Sequence, residues 1–197
     1  MTVAPKEKLT PEEYLALESA VREKSEFIDG EIRAMGGAGF DHNAIMINTA
    51  TELSLRLRGK RCRVMAADLR VKSGLSNNYF YPDIVGFCGD PELRREGTDT
   101  LLNPVMLLEV LSPSTEGYDR GEKFLQYQQI ASLQQYVLVS QLYPRVEIFT
   151  RSQGGRWEYE VISSLSEAVR LSSLDVEIPL AEIYRDVNFP NTTAEQS

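Results

Sequence analysis

The chain has 197 residues, 42% hydrophobic and 25% charged, with 29 acidic against 21 Lys and Arg side chains and a net charge of −8. That length suits one core and is short for two, so residues 1–187 are expected to form one domain, and the acidic balance argues against nonspecific coating of nucleic acid. No apolar stretch is long enough to span a membrane and no secretory leader pattern opens the chain, so a cytoplasmic protein without membrane contact is expected.

Thr10-Pro11-Glu12-Glu13 is a capping box with proline at the first helical position, and predicts a helix to about Ala20. Asp29-Gly30 between Phe27-Ile28 and Glu31-Ile32 predicts a two-residue hairpin, with Glu26 at the mouth of its first strand. Gly36-Gly37-Ala38-Gly39 follows. It has neither GxxxxGK nor a full GxGxxG, so a flexible connection is favoured over a phosphate cradle. A second helix is expected from about His42 to Leu57, with Ile45, Thr49, Leu53 and Leu57 on one stripe. His42, the only histidine, falls in its first turn behind an Asp41 cap, where it either accepts a proton or water or simply starts the helix. Arg56, Arg58, Lys60, Arg61 and Arg63 crowd the end of that helix, with Arg70 and Lys72 beyond, as a candidate phosphate-binding face or a solvated helix end. Cys62 and Cys88 lack CxxC spacing and read as free thiols of a reducing cytoplasm.

Strands are expected near Arg63–Val71, Tyr81–Phe87 and Val105–Leu111. The last is an apolar run broken by Glu109, and the one before it carries Asp83. An ionised carboxylate in a buried strand costs several kcal/mol unless it is compensated. If the two strands are neighbours, Asp83 and Glu109 repel, and a hard divalent cation with oxygen ligands resolves the repulsion. Each acid alone also fits a helix end or an arginine partner. Asp119–Ile130 reads as a helix, Tyr136–Val139 as a strand, and Arg145–Thr150 with Trp157–Ile162 as a hairpin around Gln153-Gly154-Gly155. The tail 188–197 is polar and expected to be disordered. The pattern is α/β: a mixed sheet flanked by helices, with an N-terminal helix and a β-hairpin.

Pro82-Asp83 followed by Glu109-x-Leu111 resembles the PD-(D/E)XK nuclease signature. Glu109-Val110-Leu111-Ser112-Pro113-Ser114-Thr115, Tyr118-Asp119-Arg120-x-x-Lys123 and Tyr127, together with Ser25–Ile32 and the His42 segment, resemble the Uma-two family of restriction endonucleases over roughly residues 10 to 150. The resemblance implies a restriction-endonuclease-like sheet and a DNA endonuclease using Mg2+ or Mn2+, held by Asp83, Glu109 and the Val110 carbonyl. Leu111 stands where the nuclease signature has a lysine. The resemblance implies that Lys123 on the following helix replaces it and that Glu26 faces the same site; a solvated helix lysine and an exposed acid of the Arg22–Glu26 charge run are the alternatives. Leu111 also leaves open a nucleic-acid or protein binding module that does not cleave. Homo-oligomerisation is left open.

Overall fold

The computed structural model describes residues 8–21, 23–74, 77–96 and 98–189. Helix α1 (Pro11–Ala20) is capped as expected: the Thr10 side chain accepts from Glu13 N–H, and the Glu13 carboxylate accepts from Thr10 N–H at 2.7 Å. Strands β1 (Ser25–Ile28) and β2 (Glu31–Ala34) form the hairpin, with Asp29 and Gly30 both at positive φ, 50° and 88°. That is the turn geometry an Asp-Gly pair selects. Helix α2 (Phe40–Arg56) starts two residues before His42, and its N-cap is Gly39 rather than Asp41. No side chain caps it through the Ncap position; Asn43 instead donates back to the Gly39 carbonyl at 2.8 Å.

The remaining strands are β3 (Cys62–Ala66), β4 (Arg70–Lys72), β5 (Tyr79–Phe80), β6 (Ile84–Cys88), β7 (Leu93–Glu96), β8 (Thr98–Leu101), β9 (Met106–Leu111), β10 (Gln135–Ser140), β11 (Val146–Arg151), β12 (Trp157–Ile162), β13 (Ala168–Leu171) and β14 (Val176–Pro179). Between β9 and β10 run α3 (Glu116–Tyr118), a π-helical turn (Asp119–Lys123) and α4 (Phe124–Tyr127); α5 (Leu180–Ile183) closes the order.

The fold is α/β with mixed pairing, as expected, but the strands divide between two sheets. One has the order β2-β1-β5-β4-β8-β7 and the other β12-β11-β10-β9-β6-β3; β13 and β14 pair separately. One segment expected as a single strand crosses between the sheets, and another is shortened at its start. Arg63–Val71 breaks after Ala66, where Ala67 takes a φ of 70°. The strand expected over Tyr81–Phe87 begins only at Ile84: Tyr81-Pro82-Asp83, where proline lacks the N–H a ladder needs, joins β5 in one sheet to β6 in the other. Asp83 therefore stands just before β6 rather than inside it.

The period of two explains the apolar run around Glu109. Met106, Leu108 and Val110 face a core shared with α2, β13, β14 and α5, while Leu107 and Leu111 face a second core that includes Phe80, Phe124 and Tyr127. Both faces of β9 are thus covered. Glu109 shares the face of Leu107 and Leu111, which aims it at α4.

The free-thiol reading is overturned. Cys62 and Cys88 are directly opposed in the antiparallel β3–β6 register and are disulfide-bonded. A separation of 26 residues hid the pairing from any spacing rule. At the C-terminus, Phe189 packs against Tyr184 at 5.2 Å between ring centroids. Residues 190–197 of the expected disordered tail lie outside the described residues. No helix among the described residues is long and apolar enough to cross a membrane.

Candidate active site

Glu109 is 5% exposed, and its Oε1 accepts from Lys123 Nζ at 2.8 Å and from the Tyr127 hydroxyl at 2.8 Å. Its Oε2 makes no hydrogen bond among the described residues and is not sealed from the cleft. Leu111, one period further along β9, is buried in the apolar core. The cation comes from the next element instead. Lys123 ends the π-helical turn, one helical turn before Tyr127, so both side chains reach the same carboxylate. A π turn adds a residue to the helical ring and commonly occurs at functional sites. Here Asp119 and Lys123, its first and last residues, are both buried.

Lys123 Nζ also lies 2.9 Å from Glu26 Oε1 and 3.6 Å from Asp119 Oδ1. Glu26 is 6% exposed, not a solvated member of a charge run, and its second oxygen accepts from the Tyr118 hydroxyl at 3.1 Å. The hairpin puts it there: on a four-residue strand, Glu26 and Phe27 are the buried pair.

Asp83 sits on the other wall. Its Oδ2 accepts from Val110 N–H at 2.7 Å and its Oδ1 lies 3.1 Å from His42 Nε2. The β9–β6 ladder ends at the Leu108–Ile84 pair, so the Asp83 side chain takes over the free edge of β9. Because N–H and C=O of one strand residue point to the same side, the Val110 carbonyl projects along that edge too. Asp83, Glu109, Glu26, Asp119, Lys123 and His42 line one cleft of about 650 Å³.

Three carboxylates meet the one ammonium and Asp83 stands on the opposite wall of the cleft, which leaves a surplus of negative charge. Burial pushes the Glu109 carboxyl well above the usual carboxylate range; Lys123 pulls it down without cancelling that, and Asp119, Asp83 and Glu26 add to the rise. Burial likewise raises Asp119, again against the pull of Lys123. For Lys123, burial favours the neutral amine, but Glu109, Glu26 and Asp119 outweigh it and hold the ammonium well above its ordinary value. Among the described residues no three His, Cys, Asp or Glu side chains form a complete metal cage. Asp83, Glu109 Oε2 and the Val110 carbonyl are nevertheless hard oxygen donors on one cleft, which suits an ion that takes one or two carboxylates and keeps its waters.

All five expected site residues, Asp83, Glu109, Lys123, Glu26 and His42, come together. The basic segment does not join them. Arg56 pairs with Glu52, Lys60 with Asp175, and Arg63 stacks over Phe87 at 5.1 Å, while Arg58 and Arg61 likewise lie away from the cleft. Arg70 is 1% exposed and bound to Glu18, so it belongs to no surface face. Asp119, Tyr118 and Tyr127 also belong to the site, although the sequence pattern gave them no role in it. Each stands in the motif that carries the family resemblance, and the four-residue spacing of Asp119 and Lys123 was the available signal.

A mixed-sheet core with a carboxylate-and-lysine cleft on its central strand is a nuclease-like arrangement. The chain matches the sequence profile of Uma2, described as "Putative restriction endonuclease", over residues 11–181 and belongs to that family. Two Synechocystis proteins are similar. Uncharacterized protein slr1290 is 37% identical over 189 residues, covering 94% of this chain and 96% of its own. Uncharacterized protein sll1609 is 36% identical over 157 residues, covering 80% and 89%. The crystal structure of "a putative nuclease belonging to DUF820" from Anabaena variabilis shares the fold, with a TM-score of 0.72 at 20% identity over 89% of this chain and 97% of that one.

Proposed function

We propose that the protein is a divalent-metal-dependent endonuclease that hydrolyses DNA phosphodiesters in the Asp83–Glu109 cleft. The observation that carries the reading is the charge surplus: Glu26, Asp83, Glu109 and Asp119 share a cleft with one buried ammonium. Asp83, Glu109 and the Val110 carbonyl would hold Mg2+ or Mn2+, which supplies an acidified water and a clamp on the phosphate oxygens when bound. Lys123 keeps its charge and faces the cleft beside Glu109, where it offsets charge developing on the phosphate. Tyr127 and Glu26 hold Lys123 and Glu109 in that geometry. His42, bonded to Asp83, orients that carboxylate and can take a proton from a water in the cleft.

A module that binds without cleaving needs a cation beside Glu109 only to compensate the buried carboxylate, whereas catalysis needs one that also faces the cleft. Leu111 suggested such a module, and Lys123 supplying that cation favours the catalytic reading. The test is cleavage of supercoiled plasmid and of branched DNA with Mg2+, with Mn2+ and with excess chelator. Asp83→Asn and Glu109→Gln should each abolish cleavage while circular dichroism stays native. Full activity in chelator would end the metal mechanism.

A further inference from the structure

We propose that the outer face of α2 docks antiparallel on the same face of a second copy of this chain, so that the basic exit of each helix flanks the other copy's cleft. Phe40, Ala44, Ile47, Thr51 and Leu55 recur at helical spacing and form one stripe. His42 points the other way, to Asp83, and the buried Ile45, Thr49 and Leu53 are likewise turned from it. Phe40 is 85% exposed, Ile47 62% and Leu55 45%. A helix packed on its own core ordinarily turns charged and polar side chains outward. An apolar row roughly 22 Å long on that side marks an interaction site. Symmetry sets the occupant. Phe40 and Leu55 are equidistant from the point midway between Ile47 and Asn48, and so are Ala44 and Thr51. Reversed end to end, the stripe sets Phe40 against Leu55, Ala44 against Thr51, and Ile47 beside itself. Large side chains meet large and small meet small, and a twofold interface needs such a patch, complementary to itself.

Charge favours the same arrangement. The cleft with its surplus of carboxylates opens at the start of α2, where Gly39 and His42 line it. Arg58 and Arg61 follow the other end of this 17-residue helix, roughly 25 Å away. Both are exposed and form no ion pair among the described residues. Inside the cleft, Lys123 is held by Glu26 and Glu109, and Arg33 by Glu122. In one subunit, then, the basic run stands at the wrong end of the helix to neutralise phosphates at the cleft. Continuing the antiparallel pairing one turn past Leu55 places Arg58 of one copy across from Gly37 of the other, and Gly37 lines the cleft. Acidic entrance meets basic exit at both ends of the pair. The docking stands on the stripe, whereas the phosphate role of Arg58 and Arg61 rests on the phosphodiesterase reading.

Sedimentation velocity over a concentration series reads the docking. The wild type should dimerise, and Ile47→Glu, which sets like charges side by side, should weaken association at least about tenfold. Ile47→Lys should do the same, and mixing the two variants should restore the dimer, which happens only if position 47 meets itself. Because Ile47 is exposed, both variants should fold, which their thermal melts verify. Gly37→Cys mixed with Arg58→Cys should be joined by a short bismaleimide into a covalent dimer, whereas neither variant alone should be. Cleavage completes the test: Glu109→Gln keeps the basic exit and loses the cleft, and Arg58→Ser combined with Arg61→Ser does the reverse. Each alone should be weak, and an equimolar mixture should reach about a quarter of the wild-type rate, since half of its dimers are mixed and each of these has one complete site. A monomeric wild type, a dimer that Ile47→Glu leaves intact, or absence of the cross-link would overturn the docking and leave the stripe to a different protein. Wild-type cleavage without recovery in the mixture would overturn the shared site and keep the nuclease reading. The cross-link in a wild type that cleaves no DNA would support the docking and remove the nuclease reading.

Discussion

At Lys123 the ammonium meets Glu109 and Glu26 within 2.9 Å and Asp119 at 3.6 Å, so the metal-free pocket carries more negative than positive charge. Glu109 and Asp119, raised by burial from 4.5 and 3.8, bind protons more readily folded than unfolded. The stability this contributes is full below those unfolded values and is lost as pH rises through the raised folded ones. Glu147 runs the other way: its carboxyl, lowered by Arg120 and Tyr159 against burial, loses its contribution only as pH falls below 4.5. Above about pH 5, melting in chelator should therefore rise on acidification. Glu109→Gln should flatten that dependence and hold or raise stability at neutral pH, by an amount on the order of 1 kcal/mol. A wild type that instead loses stability steadily on acidification across this range would mean that Glu109 is an ionised structural partner of Lys123. Asp83 and Glu109 were legible in the sequence because an acid inside an apolar run demands a partner. Asp119 and Tyr127 were not, since their role depends on which way a π turn aims them.

The π-helical turn adds one residue to the helical ring, and its two ends are the buried Asp119 and Lys123. Gly121 at its centre has nothing within 4 Å of the position a Cβ would take. Gly121→Ala should thus leave cleavage intact and stabilise by about 0.5–1 kcal/mol, read from urea denaturation. Deleting Gly121 should restore regular α-helical pairing and turn Lys123 by about 100° relative to Asp119. Cleavage should then be lost while far-ultraviolet circular dichroism changes little. Activity surviving the deletion would show that the turn is incidental. Elements set by local chemistry were readable in advance: the Thr10 box, the Asp29-Gly30 hairpin and the β11–β12 pair. The β7–β8 hairpin was not, because Leu93-Arg94-Arg95-Glu96 has neither alternation nor an apolar run. The short β13–β14 pair and α5 escaped as well, since their burial comes from packing under α2.

For the molecule as a whole, the division into two sheets and the Cys62–Cys88 bond share a cause that no local pattern carries. Both follow from which distant strands become neighbours. The disulfide ties β3, the outermost strand of its sheet, to β6, the strand that follows Asp83. Closing a loop across a separation of 26 residues removes denatured-state freedom worth about 3.5 kcal/mol in the chain-entropy account. A reductant should accordingly lower the melting temperature, and Cys88→Ser should melt at the reduced value with or without it. Mass spectrometry after alkylation without reduction should find both cysteines unmodified; two alkylated thiols in the native protein would remove the bond.

The ammonium of Lys123 joins Glu26 on β1, in one sheet, to Glu109 on β9, in the other. It works as a rivet between layers. If the hairpin lifts away, a buried cation loses one of its anions and the cleft loses a wall in the same motion, so assembly of the site and docking of the hairpin form a single step. That step should come late in folding and early in local opening. In amide hydrogen exchange, the β1–β2 protons should become more protected when Mn2+ is added and less protected in Lys123→Met, while the β9–β10 ladder changes little. On that expectation the two layers should build the centre together at the end of folding, and it should open first when they begin to part.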